Sequence, residues 1–195
     1  MATSSQPAPT DYPVDGVVAR WECLVTMRNL VPVVGEVVEA LRTQFSDPEK
    51  PPLGGVVPEV EHRPGADVAL DGLWVGDCPG LVWVNVIRVF RSADFPAETD
   101  EATCSGQLAA LIQVGAARCV GVVDNQGYPP TAERMEHDAL VGLDDAARLE
   151  RAVCAAAKAA DDRGLILQST WGASEPHGPQ GGALAWTKTM TVQLA

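Results

Sequence analysis

An α+β fold, a mainly antiparallel sheet with helices packed on one face, is what this sequence predicts. Three observations predict it. Apolar residues recur at helical spacing near the N-terminus and again after residue 131. Two runs, 81–90 and 106–123, are dense in aliphatic and β-branched residues, which favour a pleated surface. Residues 184–194 alternate apolar with polar, the period of a half-buried strand. The predicted order is α-α-β-β-α-β-β, a sheet covered by helices. It forms one domain over 14–195, preceded by a flexible arm, 1–13, rich in Ser, Thr, Pro and Ala.

The first helical pattern carries Val17, Val18, Trp21, Leu24, Val25 and Met27. Pro32 interrupts it, because proline removes a helix hydrogen bond and clashes with the preceding turn. Two helices, or one kinked helix, are expected. The second piece carries Val33, Val34, Val37, Val38, Leu41 and Phe45 and stops at Ser46-Asp47-Pro48. Residues 47–66 hold five prolines and Gly54-Gly55, which reads as an extended loop or edge segment outside the core. Leu73, Trp74 and Val75 suit a short strand.

Leu81–Phe90 reads as a strand buried on both faces, by helices or by neighbouring subunits. Gly106–Val123 suits a strand or a helix by composition, and its short spacing from the previous strand selects a strand. The linker Arg91–Ser105 holds Asp94, Glu98, Asp100 and Glu101 and reads as a solvated loop. Asp124-Asn125-Gln126-Gly127 is turn chemistry. A helix then opens with Thr131 as N-cap and Glu133 in its first turn, where a negative charge suits the helix dipole. Leu140, Leu143 and Ala147 mark its apolar face, Gly142 weakens it, and Asp144-Asp145 cap a continuation through Arg148, Val153, Ala157 and Ala160. Gly164 ends it as the C′ residue. Leu165–Trp171 is the next strand, Gly172–Gly182 a loop, and Leu184–Leu194 the last strand. Leu184, Trp186, Lys188, Met190, Val192 and Leu194 share one face of it.

Composition bounds the function. The 195 residues, 46% hydrophobic, can build one core. Acidic residues number 26 against 14 basic ones, a formal charge of −12. Phosphate neutralisation needs a basic footprint, so tight nucleic-acid binding and a peripheral membrane role are not expected. Five cysteines with no C-x-x-C pair argue against a zinc cluster or a disulfide scaffold and suit a reducing cytoplasm. No run reaches the roughly 18 apolar residues of a membrane span, and the first residues lack the basic and apolar regions of a signal peptide.

The chemistry of catalysis is sparse, and no enzyme is expected. There is no G-x-S-x-G, P-loop or G-x-G-x-x-G. His62, His137 and His177 are scattered without metal-ligand spacing, and no metal or cofactor is expected. Glu136-His137-Asp138 occupies adjacent helix positions that point in different directions. Cys104 has no base beside it and reads as an inert thiol. The carboxylate pairs Asp144-Asp145 and Asp161-Asp162 are read as helix-end charges. If 81–90 and 106–118 form a hairpin with Phe90 near Gly106, Cys78 comes near Cys119. Two reduced, small hydrophobic side chains remain the plainer reading of that pair.

Several stretches resemble tail-terminator or minor tail (neck) proteins of long-tailed phages that infect actinobacteria. They are Cys78–Val84, Arg118-Cys119, Asp124–Pro130 (DNQGYPP), Leu143–Ala147 and Gly178–Gly182, followed by the strand containing Trp186. Ala183-Leu184-Ala185 stands where that family often carries cysteine and glycine. The resemblance spans about 78–194 and implies a tail-terminator-like fold. It also implies a structural role in the virion, assembled in the host cytoplasm: a homohexameric ring that caps the tail tube and meets the head-completion proteins. DNA would only pass through its lumen. A head–tail connector or another minor tail component is the alternative within that role. A small enzyme or ligand-binding domain is the alternative outside it. Candidate assembly contacts are Asp94, Glu98, Asp100 and Glu101, which would rim the channel and repel phosphate. Gln180, Gly181, Gly182 and Trp186 are the others.

Overall fold

The computed structural model describes residues 15–66, 70, 73, 78–99 and 106–195, with side chains of the first helix from Asn29 onward. The arm 1–13 lies outside these residues. The elements are α1 (Asp15–Phe45), β1 (Val60–His62), β2 (Leu81–Ser92), β3 (Gln107–Cys119), α2 (Ala132–Asp162), β4 (Ile166–Gln180) and β5 (Ala183–Leu194). The fold is α+β, with a five-stranded mixed sheet ordered β1-β2-β3-β5-β4. β1 runs parallel to β2, and the other pairings are antiparallel.

The first helical region is one helix, not two, so the order is α-β-β-β-α-β-β. Pro32 lies inside α1. An interior proline costs about 3 kcal/mol or more. Burial of Leu30, Val33, Val34, Val37, Leu41 and Phe45 offsets that cost, at about 1.5–3 kcal/mol for each large apolar side chain. Both helices cover the same face of the sheet. Their apolar residues join Val82, Val84, Ala110, Ile112, Val114, Met190, Val192 and Leu194 in one core.

The segment after α1 supplies the edge strand β1, one of its two expected forms, but it also contributes to that core, contrary to its reading as outside it. Val57 and Val60 are buried. The Val57 N–H donates to the Phe45 carbonyl, and the Ser46 hydroxyl donates to the Val57 carbonyl. These bonds pull the chain inward before β1 adds to the sheet edge.

β2 is buried on both faces over its first half, as its composition predicts. Leu70, Leu73 and Cys78 of the chain itself contribute to the second cover, where helices or neighbouring subunits were expected. Leu73, Leu81, Trp83, Ala117, Ala183 and Ala185 form a second apolar cluster, with Leu70, Cys78 and Cys119 against it. Fully buried Asn85 donates to the carbonyls of Gly65 and Ala66 at 2.9 and 3.1 Å. Trp74 and Val75 lie outside the described residues.

The β2–β3 register pairs Leu81 with Ala117 and Phe90 with Ala109, with an irregularity between Val86 and Arg88. It differs from the expected Phe90–Gly106 alignment, yet it still brings the two cysteines together. Cys78 and Cys119 form a disulfide with Cα atoms 6.1 Å apart, correcting the reading of two reduced thiols.

α2 begins as predicted. Thr131 is the N-cap and accepts from the Arg134 N–H, and Gly164, with φ 64°, follows the Arg163 C-cap. Its buried stripe is Val141, Asp145, Leu149, Ala152, Val153, Ala156 and Ala160. The expected face is wrong in the first half, where Leu140, Leu143 and Ala147 are exposed, and right in the continuation, where Val153, Ala157 and Ala160 are buried. A carboxylate on the buried stripe broke the hydrophobic pattern and shifted the reading by one residue. Gly142 is needed rather than merely tolerated, since a Cβ there would sit 2.7 Å from the Trp186 indole nitrogen. Asp144 and Asp145 lie mid-helix and cap nothing; both are held by arginines. Asp161 and Asp162 do sit at the C-terminal end, where the dipole disfavours them. Lys158 pairs with Asp162.

The expected loop 172–182 is mostly strand. β4 continues to Gln180, and only Gly181-Gly182 turn the chain into β5. Both glycines have positive φ, 58° and 80°, the geometry of a two-residue type I′ hairpin turn. The prolines that suggested a loop lie on an edge strand, where a missing N–H costs no ladder bond.

Candidate functional site

At one end of the sheet the chain leaves β3 and travels to α2 without regular structure. The Val120 N–H donates to the Gly182 carbonyl, and the Gly121 N–H donates to the Asp138 carboxylate at 2.8 Å. The Asp124 carboxylate accepts from the N–H groups of Gln126 and Tyr128, closing the predicted turn. Pro130 and Thr131 then start α2. Glu133, in its first turn, has its carboxyl held below the usual range by its own backbone N–H and by Thr131.

This path leaves an apolar groove of about 750 Å³ between residues 120–123, the first turns of α2 and the β4–β5 turn. Val122, Val123, Pro130, Met135, Pro179 and Leu184 supply most of its wall. Asp138, the one charged side chain lining it among the described residues, is already taken by Gly121 and Arg134. Val122 and Val123 are each 59% exposed and Met135 54%. Exposed Leu140 and Leu143 follow along α2. Exposed apolar side chains gathered in one groove make it a candidate interaction surface. Its lining suits an apolar partner surface more than bond-making chemistry.

Two arginines set the shape beneath the groove. Arg118, on β3, grips the Asp145 carboxylate through Nε and Nη2 at 2.9 and 3.2 Å. Its Nη1 donates to the carbonyls of Gly54 and Pro79. Burial pushes the Asp145 carboxyl above its ordinary range, and Arg118 opposes that shift. Arg148 pairs with Asp144 and donates to the carbonyls of Gln44, Lys50 and Pro51. Burial raises the Asp144 pKa, but the Leu53 N–H and Arg148 outweigh it, so the net shift is downward.

Residues 78–79, 118–119, 130, 145 and 179–182 come together at this end. Cys78 bonds Cys119, the Pro79 carbonyl meets Arg118, and Arg118 meets Asp145. Pro130, Pro179, Gly181 and Gly182 line the groove. Of the candidate contacts, Gly181 and Gly182 border the groove, Gln180 is exposed beside them, and Trp186 is half-buried against Gly142 of α2. Asp94 and Glu98 are exposed at the opposite end of the β2–β3 hairpin, and Glu98 pairs with Arg88 at 2.6 Å. Asp100 and Glu101 lie outside the described residues. Val122, Val123 and Met135 were not singled out from the sequence; apolar residues in a Gly/Pro-rich stretch were the available signal.

The other chemistry-bearing residues remain dispersed. Glu136 and His137 are exposed, while Asp138 turns toward Gly121. The His177 ring bonds the Thr187 hydroxyl at 2.7 Å. Burial, and then Glu150, push the Cys154 thiol up, away from a reactive thiolate. Cys104 lies outside the described residues. Among the described residues, no group of three or more His, Cys, Asp or Glu gathers to hold a metal ion, and no helix is long and apolar enough to cross a membrane. No family model matches the chain, and no curated protein is significantly similar to it.

Proposed function

We propose that this chain is a structural virion protein, a tail terminator that closes the tail tube as a ring and joins it to the head-completion proteins of the neck. One observation supports the reading: residues of several stretches that resemble terminator proteins come together at one end of the sheet, Cys78 with Cys119 and Arg118 with Asp145, and Pro130, Pro179, Gly181 and Gly182 line an exposed apolar groove there. Such a surface gains by being covered, at roughly 25 cal/mol per Å² of apolar area removed from water. The partners are further copies of the chain, the tail-tube protein and a head-completion protein.

Native mass spectrometry of the protein, alone and with tail-tube protein, tests the reading. Six chains of 20.6 kDa, about 124 kDa, are the expected ring, formed alone or on the tube. The double variant Val122→Asp/Val123→Asp is expected not to form the ring, because it sets two charges in the groove. A wild-type monomer indifferent to tube protein would sink the proposal. Stable binding to capsid-side proteins alone would move the chain to the connector role.

The acidic loop containing Asp94, Glu98, Asp100 and Glu101 rims the lumen in this reading and repels passing DNA. Neutralising the four to Asn or Gln is expected to slow DNA ejection. Because Arg88 already offsets Glu98, Asp94→Asn should contribute more than Glu98→Gln. Ejection at the wild-type rate in the fourfold variant would remove the lumen assignment.

A further inference from the structure

β4 is the last strand of the sheet, and among the described residues no strand pairs with its outer side. A free edge presents a row of N–H and C=O groups that another chain can complete. Proteins guard such edges with proline, charge and irregular register. β4 is guarded over one half only. Glu175, Pro176 and Pro179, with two of its three register shifts, lie in Trp171–Gln180. The half Ile166–Trp171 holds no proline, glycine or charge. Its register shift leaves Leu167 unpaired with β5. Leu167 is 53% exposed and Trp171 43%.

Leu167 and Trp171 border a hollow of about 330 Å³ between β4 and the flank of α2, where Cys154, Lys158 and Asp161 stand opposite them. Both side chains therefore lie on the helix-bearing side of the strand. Residues directly opposite in an antiparallel ladder share a face. Two copies of this half laid antiparallel, with Ser169 opposite Ser169, set Leu167 of each against Trp171 of the other. That is an aliphatic–aromatic cross-strand pair made twice. The same register starts each ladder at Ile166, so Pro176 and Pro179 of one copy pass beyond the start of β4 in the other and interrupt no bond. A longer strand from another protein would run against both prolines, which have no N–H to offer. Past the ladder, exposed Glu175 comes level with exposed Arg163 of the second copy, a charge of opposite sign.

We infer that Ile166–Trp171 is an interface with a second copy of this chain, edge to edge about a two-fold axis at Ser169, joining two five-stranded sheets into one. The same surface meets itself, so this contact makes a dimer, whereas a ring needs a contact between different surfaces. The inference goes beyond the ring reading and stands apart from the groove, none of whose lining residues it uses.

Sedimentation and amide hydrogen exchange of the full chain, dilute and concentrated, test it. They are made on the Val122→Asp/Val123→Asp chain, whose groove is disabled, so that only this contact is read. A monomer should pass into a dimer of about 41 kDa, twice 20.6 kDa. Amides of 166–171 should exchange more slowly as the dimer fills. Adding Leu167→Asp should raise the dissociation constant about tenfold or more, because the axis sets the charge at both ends of the ladder. Leu167→Ile should leave it unchanged. An unchanged urea midpoint for Leu167→Asp shows that its fold is intact. A monomer at every concentration, protection confined to other segments, or a Leu167→Asp chain that dimerises like its parent overturns the inference. Each of those results leaves the ring reading standing, since that reading is tested on the wild-type chain with tube protein.

Discussion

Replacing Arg118 by Met is expected to remove about 3–5 kcal/mol of native stability, the usual cost of stranding one partner of a buried ion pair. Asp145 lies on the buried stripe of α2 and is ion-paired with Arg118. The same guanidinium ties the Gly54 and Pro79 carbonyls to the sheet, so its loss also leaves two loop carbonyls without a donor. A domain is stable by only about 5–15 kcal/mol, so the variant should unfold at markedly lower urea. The pH dependence separates charge from packing. Burial raises the Asp145 pKa in the folded state above its unfolded value. The native state therefore holds more proton between those two values, and the group's contribution is greatest below the unfolded pKa and is lost as pH rises through the folded one. Without Arg118 the folded pKa rises further, and the deficit of Arg118→Met should shrink on acidification. Arg118→Met/Asp145→Leu should recover most of the loss at neutral pH. A single-variant deficit under 1 kcal/mol, or one independent of pH, would show that water or another donor satisfies Asp145.

That ion pair also explains where the sequence was legible. Patterns built from one local rule were read correctly. The N-cap Thr131, the Gly164 stop and the hydrophobic run of β2 each depend on near neighbours in the chain. The misreadings lie where a long-range partner overrides the local rule. Asp145 looked like a helix-end charge because its partner lies 27 residues away on β3. With that carboxylate on the buried stripe, Leu140 and Leu143 became the more regular apolar face, although they point to solvent. Residues 172–180 looked like a loop because edge position, which exempts prolines from the ladder, is a property of the sheet. The groove was least legible. Val122 and Val123 are ordinary strand residues by composition, and they become a surface only because β3 ends at Cys119.

Removing the Cys78–Cys119 bond, by Cys78→Ser/Cys119→Ser or by reductant, is expected to cost about 4 kcal/mol, the chain-entropy value for cysteines 41 residues apart. The bond's position supports a loss of that order. Both cysteines pack against the second apolar cluster of Leu73, Leu81, Trp83, Ala117, Ala183 and Ala185. The plainer reading, two reduced thiols in a cytoplasm, makes the opposite forecast: reductant would leave the urea midpoint of the wild type unchanged. Two controls decide between them. Non-reducing digestion should yield a single linked pair of peptides containing Cys78 and Cys119. Reductant should lower the wild-type midpoint to that of the double variant and leave the double variant where it is. The loss should also be local in its consequences. The groove wall formed by residues 120–123 is fixed by Gly182 and Asp138, which the disulfide does not touch. A reduced chain held below its unfolding midpoint should therefore still assemble, at lower stability. Loss of assembly at a urea concentration where the fold persists would instead make the disulfide part of the contact surface.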